Sequence, residues 1–150
     1  MGEVLSTRLL ETIREELGGT YSISASANYW KTPRPEYTVS VSFGCDPTRT
    51  DALIKRVFEE IEKYKTSGPT EKQLNDEKEA LLKEYDANMK NNAYLLSQIK
   101  GKYEYGEDPA TLLNIPEYYR NLTGAAIQQA AKTYLNPGSY VQVVMVPEKK

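Results

Sequence analysis

Two runs of alternating residues occupy positions 21–45, which read YSISASANYWKTPRPEYTVSVSFGC. In both runs, residues 21–29 and 37–45, apolar or aromatic odd-numbered residues alternate with small polar ones. This period of two predicts strands with one face toward a core and one polar face. The connection, residues 31–36, contains two prolines and is too long for a tight turn. We therefore predict a hairpin with a loop of several residues.

A helix is predicted before the hairpin, because apolar residues recur there every four positions. These residues are Leu5, Leu9, Ile13 and Leu17. Gly18 and Gly19 follow them and suit the left-handed cap that ends many helices. No good N-cap precedes the apolar pattern. We therefore expect that the chain is a fragment of a longer protein that continues upstream.

Three or four further helices are predicted between the hairpin and the end of the chain. Asp46 and Pro47 open the first, and Thr70 with Gln73 forms a capping box at the start of the next. The final segment, residues 140–146, is almost continuously apolar and β-branched, which predicts a strand buried on both faces at the centre of the sheet.

The order of these elements predicts an α+β fold, in which helices pack on one face of a mostly antiparallel sheet. No repeat, low-complexity segment or internal linker interrupts the pattern. We therefore predict that residues 1–150 form a single domain, since this length is typical of one domain.

Composition excludes several classes of function. The chain has no histidine, which rules out a Ser–His–Asp triad, a Cys–His pair and a histidine zinc site. Its single cysteine, Cys45, allows no intrachain disulfide, and we interpret it as a small buried side chain at a strand end. The net charge of −2 gives no basic excess for binding nucleic acid. No run of 18 apolar residues is present to span a membrane.

An acidic cluster lies on the helix that follows Thr70, at Glu77, Glu79, Glu84 and Asp86. Lysines lie between these carboxylates. Such a mixture is typical of a solvated helix face with i,i+4 ion pairs, and we prefer that interpretation to a metal site.

Arg14 and Tyr21 flank the predicted end of the first helix. A guanidinium and a phenol that project into one space can hydrogen-bond a substrate carbonyl and stabilise a developing oxyanion. The structural alternative pairs Arg14 with Glu15, Glu16 or another carboxylate and packs Tyr21 on the core. The residues alone favour this alternative, because two such side chains at this spacing often occur by chance.

The chain resembles the C-terminal half-domain of zinc peptidases of the M16 (pitrilysin/insulinase) family. Four stretches in family order carry the resemblance: LLETIREELGGTYS at 9–22, GPTEKQL at 68–74, IPEYY at 115–119, and AAKTYL at 130–135 before the valine-rich end. The chain departs from the family in three respects. Gln73 replaces a glutamate, the first strand of the half-domain is missing, and the His-x-x-Glu-His zinc motif is absent.

The resemblance implies a duplicated half-domain in which one copy binds zinc and the other supplies an arginine and a tyrosine. Arg14 and Tyr21 match those two positions. On this basis Arg14 holds the substrate backbone, and Tyr21 donates to the scissile carbonyl oxygen. The chain is then the substrate-binding half of a zinc endopeptidase and is inactive alone. It holds no cofactor, and the zinc lies in the missing N-terminal half or in a paired subunit.

Two other functions remain open. The family also contains inactive subunits, so the chain can be a non-catalytic structural or assembly half-domain. An independent module that binds extended peptides at a sheet edge is a third interpretation. The resemblance further implies a periplasmic location for the parent protein. The apolar surface left by the missing strand and partner predicts that the fragment self-associates.

Overall fold

The two alternating runs form an antiparallel hairpin in the computed structural model. Strand β1 is Ser22–Trp30 and strand β2 is Glu36–Gly44, with a register from Ser22 opposite Gly44 to Trp30 opposite Glu36. The structure describes residues 1–16, 18, 20, 22–136 and 138–146, without the side chains of residues 15 and 16. The predictions for Leu17, Gly19 and Tyr21 lie outside these residues.

The described helices follow the sequence in two groups around the hairpin. Helix α1, Gly2–Leu9, continues into a π-helix, Leu10–Glu16, before β1. After β2 come a 3-10 turn, Pro47–Arg49, and the helices α2, Thr50–Ser67, α3, Glu71–Asn88, and α4, Asn92–Glu104. A second 3-10 segment, Pro109–Asn114, then precedes α5, Ile115–Arg120, and α6, Gly124–Tyr134. None of the described helices is long and apolar enough to cross a membrane.

The chain divides into two compact units, Met1–Pro69 with Ala125–Lys150, and Thr70–Gly124. In the first unit, helix α1 packs on one face of the hairpin. Gly2 permits a close approach there, because a Cβ atom on it would lie 2.9 Å from the backbone nitrogen of Ala27. The prediction of a single domain over residues 1–150 stays a prediction.

The core of the first unit combines the apolar stripes of its helices with the inner face of β1. Its buried members are Val4, Leu5, Leu9, Ile13, Ile23, Ala25, Leu53, Val57, Tyr64, Ile127, Ala131 and Leu135. On the hairpin, burial alternates with a period of two only over residues 22–25 and 38–44, and the serines of both strands are exposed. At the loop end, Ala27, Tyr29 and Tyr37 are exposed, so the prediction that they face the core is wrong there. The predicted α+β fold, with helices on one face of an antiparallel sheet, is confirmed.

The second unit is helical and is shaped by local caps. Thr70 and Gln73 form the predicted capping box at the start of α3, with each side chain bonded to the other residue's backbone N–H at 3.1 Å. Asn91 caps α4, with its side chain as acceptor for the N–H groups of Ala93 and Tyr94, so the chain breaks between α3 and α4. The hydroxyl of Tyr85 donates to the carbonyl of Leu112 at 3.2 Å, which ties α3 to the second 3-10 segment.

The final segment contradicts its prediction. Residues 140–146 form no strand among the residues that the structure describes, and Val141 is 88% exposed, Val143 79% and Met145 93%. A buried central strand there is therefore wrong. The apolar, β-branched pattern records a preference for burial, but burial also requires a neighbouring strand, and β1 and β2 pair only with each other in the described sheet.

Cys45 is the second correction. It follows β2 as predicted, but it is half-buried, and its Sγ atom lies 3.5 Å from the hydroxyl of Thr50. The position directly after the strand leaves one side of the thiol open to solvent. The chain turns there into the 3-10 segment, whose start is capped by the Asp46 carboxylate, an acceptor for the N–H of Thr48 at 2.8 Å.

Candidate functional site

Arg14 lies in the π-helix that follows α1. Its neighbours Thr12 and Ile13 are buried, whereas Arg14 is exposed. Among the side chains that the structure describes, none forms an ion pair or hydrogen bond with the Arg14 guanidinium. The side chains of Glu15 and Glu16, its alternative partners, lie outside the described residues. Short π-helical segments are rare and occur frequently at functional sites. The π-helix that contains Arg14 is therefore a candidate functional site.

The chain leaves the helix through Gly18. The N–H of Gly18 donates to the Arg14 carbonyl at 3.0 Å, and its φ of +54° lies in the left-handed region that glycine adopts without strain. The carbonyl of Gly18 accepts a hydrogen bond from Nη1 of Arg49 at 3.1 Å. Gly18 is thus bound both to Arg14 and to the segment that follows β2.

Thr20 closes the end of the hairpin with its hydroxyl. The residue is buried, and its Oγ1 lies 2.5 Å from the carbonyl of Gly44 and 2.8 Å from that of Ser22. The N–H of Ser22 donates back to the same Oγ1 at 3.2 Å. One hydroxyl therefore binds the last residue of β2 and the first residue of β1, which form the final pair of the ladder.

Tyr21, the second predicted site residue, lies outside the described residues. The structure describes its neighbours Thr20 and Ser22, and it describes Arg14. The juxtaposition of Arg14 with Tyr21 is therefore taken up below as a proposal. The contacts of Thr20 and Arg49 were not predicted, because their partners lie 24 and 31 residues away along the chain and have no local signal.

A groove of about 400 Å³ lies at the loop end of the hairpin in the first unit. Tyr29, Tyr37 and Tyr134 line it, and the rings of Tyr37 and Tyr134 meet edge-on with centroids 4.7 Å apart. The sequence did not predict this groove. The available signal was the pair of aromatic residues that flank the proline-containing loop, and Tyr29 lies opposite Tyr37 in the observed register.

Glu60 is a buried carboxylate on α2 that joins the helices of the first unit. Its oxygens lie 3.3 Å from Nε of Arg8 on α1, 3.0 Å from Nη2 of Arg56 and 2.8 Å from Nζ of Lys63. Burial alone raises the pKa of the Glu60 carboxyl. The Lys63 hydrogen bond and the charges of Arg56, Lys63 and Arg8 outweigh burial, so the pKa lies below its ordinary value. Arg8 also lies over the ring of Tyr64, 5.9 Å from its centroid.

No group of three or more metal-ligating side chains occurs within the part of the chain that the structure describes. In the acidic cluster on α3, Glu79 pairs with Lys83 at 3.3 Å, and both side chains are largely exposed. The cluster thus matches the interpretation as a solvated helix face.

The fold is of the α+β class, with helices on one face of an antiparallel hairpin. Comparison with known proteins gives the family of the chain. A family model described as the peptidase M16 inactive domain matches residues 1–81. The chain therefore belongs to the M16 peptidase inactive-domain family, as the resemblance implies.

The relatives include two curated proteins named for zinc proteases. A zinc protease PQQL-like protein of Arabidopsis thaliana is 25% identical over 99% of this chain and 17% of its own length. The probable zinc protease PqqL of Escherichia coli is 24% identical over 96% of this chain and 16% of its own length. The chain thus spans about a sixth of these relatives.

Solved structures show the same fold. The periplasmic protease PqqL from Escherichia coli superposes with a TM-score of 0.74 at 24% identity, over 89% of this chain and 15% of that one. A peptidase M16 inactive domain from Pseudomonas fluorescens superposes with a TM-score of 0.73 at 22% identity, over 86% of this chain and 30% of that one.

Proposed function

We propose that this chain is the substrate-binding, non-zinc half-domain of a zinc-dependent endopeptidase. It contacts the substrate backbone and the scissile carbonyl, completes an active site whose zinc lies in another half, and is inactive alone. The observation that carries the proposal is the placement of Arg14, whose exposed guanidinium lies at the end of the first helix in a chain of the M16 inactive-domain family.

Arg14 is the substrate-binding residue of this proposal. A guanidinium presents five N–H donors in a fixed planar fork, and an extended peptide presents unpaired backbone carbonyls that need such donors. Its exposure leaves these donors available to a bound chain, while the buried Ile13 beside it anchors the backbone.

Tyr21 is proposed as the catalytic residue. A phenolic hydroxyl near the scissile carbonyl donates a hydrogen bond that strengthens as the oxygen becomes anionic, so it stabilises the transition state more than the ground state. The family position of Tyr21 supports this role, and so do the fixed contacts of its chain neighbours Thr20 and Ser22.

The partner of this half-domain is the zinc-binding N-terminal half of the same protein or a paired subunit, and its substrates are peptides. The described residues provide no zinc site, so no step of this proposal passes through a metal held by this chain. We place the parent protein in the periplasm, because the similar Escherichia coli protease PqqL is a periplasmic protein.

The test uses the full-length protein that carries this chain, with peptide hydrolysis as the readout. We expect Tyr21→Phe to lower kcat by roughly 100-fold with little change in KM, as for the loss of one oxyanion donor. We expect Arg14→Lys to raise KM, because an ammonium cannot reproduce the guanidinium fork.

Two control variants have matched chemistry. Tyr103→Phe removes a phenolic hydroxyl from an exposed site on α4, and Arg34→Lys changes an exposed arginine that pairs with Glu36 in the hairpin loop. Both controls should retain full activity. An active protein that is insensitive to Tyr21→Phe contradicts the role of Tyr21. A full-length protein with no peptidase activity favours the alternative, a non-catalytic structural or assembly half-domain.

A further inference from the structure

We propose that the groove at the loop end of the hairpin binds a lysine or arginine side chain of the peptide substrate. This inference rests on the proposed function, in which the half-domain holds a peptide, and it names one chemical class of residue in that peptide. Every residue that lines the groove belongs to the first compact unit and to the part of the chain that the structure describes.

Three tyrosine rings line the groove. Tyr29 and Tyr37 lie opposite each other on β1 and β2, and Tyr134 is the last residue of α6. All three side chains are exposed. The rings of Tyr37 and Tyr134 meet at an interplanar angle of 72°, so one ring presents its face and the other its edge. The face of an aromatic ring carries negative potential and attracts a cation, so the groove offers a cation an accessible aromatic surface.

Glu36 gives the groove a negative charge. Of the residues that line the groove, Glu36 alone has a charged side chain. Arg34 of the hairpin loop pairs with this carboxylate, which shows that a guanidinium can reach it. The two side chains are 81% and 51% exposed, and an ion pair so open to water contributes little to stability. A carboxylate has two acceptor oxygens, so Glu36 can also bind a cation that enters the groove.

The walls of the groove suit the aliphatic stem of a long cationic side chain. Ala27 and Val39 from the hairpin and Ala130 from α6 provide apolar surface beside the rings. Lysine and arginine pack their methylene groups on such surface and keep the charged end near water. The volume of about 400 Å³ lies at the small end of the range for ligand pockets, roughly 300–1,000 Å³, which suits one side chain of a peptide.

A neutral apolar side chain fits the same groove less well. It would cover part of the Glu36 carboxylate without offering a hydrogen-bond donor, and removing water from an unpaired carboxylate is unfavourable. A cationic side chain is attracted by the carboxylate and by the tyrosine rings together. The combination of charge and rings therefore favours lysine or arginine over leucine or phenylalanine at this position of the substrate.

Peptide binding to the 150-residue chain tests the groove without peptidase activity. The probes are two capped alanine peptides with either lysine or its neutral analogue norleucine at the centre, and calorimetry measures their affinities. We expect the lysine peptide to bind about fivefold more tightly, the ratio that corresponds to roughly 1 kcal/mol of attraction between a cation and exposed rings. Glu36→Gln and Tyr134→Leu should each lower this ratio. Tyr134→Phe keeps the ring and should keep the preference, as should the control Glu79→Gln, which neutralises an exposed glutamate on α3.

Equal affinity for the two peptides, or tighter binding of the norleucine peptide, would overturn the proposal. A lysine preference that persists in both Glu36→Gln and Tyr134→Leu would also overturn it, because the cation would then bind elsewhere. In the full-length protein, Glu36→Gln should raise KM for a lysine-containing substrate and leave KM for its norleucine analogue unchanged. A failure of the proposed function is distinguishable from these results, because it appears as an unchanged kcat in Tyr21→Phe and leaves the binding preference of the chain intact.

Discussion

Replacement of Glu60 by glutamine removes a buried charge that holds α1 against α2. Glu60 is 3% exposed, and its contact with Arg8 joins those two helices, whereas Arg56 and Lys63 lie on α2 itself. Glutamine keeps the shape of the side chain and one acceptor oxygen. We therefore expect Glu60→Gln to fold and to lose stability.

The exposure of Lys63 and Arg8 sets the magnitude. The Lys63 side chain is 53% exposed and contributes about as much as a surface pair, roughly 0–1 kcal/mol. The Arg8 side chain is 17% exposed, and breaking a buried pair costs about 3–5 kcal/mol. Because glutamine still accepts one hydrogen bond, we expect a loss of about 2 kcal/mol in the free energy of unfolding at pH 7. For a chain of this size, the Tm should fall by about 4–8 °C.

The lowered pKa of Glu60 gives this contribution a pH dependence. A carboxyl whose pKa is lower in the folded state than in the unfolded state stabilises the fold above the unfolded value, about 4.3 for glutamate. The stabilisation is lost as the pH falls through the lowered folded-state pKa. The difference in Tm between the wild type and Glu60→Gln should therefore be largest near pH 7 and should shrink below about pH 4.

Thermal unfolding followed by circular dichroism at both pH values measures the effect. Glu79→Gln is the matched control, because it neutralises a glutamate whose side chain is 73% exposed in an ion pair on α3, and it should change the Tm by less than about 2 °C. If Glu60→Gln melts at the wild-type temperature at pH 7, or if its deficit does not shrink in acid, the argument from burial and charge is wrong.

Two further predictions concern a helix cap and the exposed end of the chain. Thr70→Ala removes the side-chain acceptor for the N–H of Gln73 and should cost about 1 kcal/mol in a thermal melt, and an unchanged Tm would contradict the cap's contribution. The isolated chain should self-associate in sedimentation experiments, and Val141→Lys with Val143→Lys should return it to a monomer, since both valines are largely exposed. A wild-type chain that sediments as a monomer would refute this.

The parts of the fold that follow from local signals could be predicted from the sequence. The period-two pattern gave both strands, because the alternation directly encodes the two faces of the hairpin. The capping box at Thr70 was predictable because its partners lie three residues apart. The π-helix at Leu10–Glu16 was not, because an apolar spacing of four is equally compatible with a regular α-helix.

The candidate site was only partly predictable, because only some of its features have a local sequence signal. Arg14 was found by its position beside the apolar stripe, and the structure describes it as exposed. The contacts of the described residues that follow it join Thr20 to Gly44 and Gly18 to Arg49, and they arise only when the hairpin folds back on itself. Their residue types are common in surface loops, so no pattern within the turn distinguishes them.

The valine-rich end, residues 140–146, differs in burial between the sequence pattern and the structure. Both nevertheless indicate a surface that another chain or domain covers. The pattern predicts burial, yet apolar side chains from Val141 to Val146 are 44–93% exposed. Exposed apolar area is unfavourable by about 25 cal/mol per Å², and contiguous patches of it commonly mark surfaces that another chain or domain covers. We interpret this segment as an apolar surface without its neighbour. A half-domain that presents both an uncovered apolar segment and an arginine suited to an external substrate is best explained as one part of a paired assembly, and this supports the proposed function independently of Tyr21.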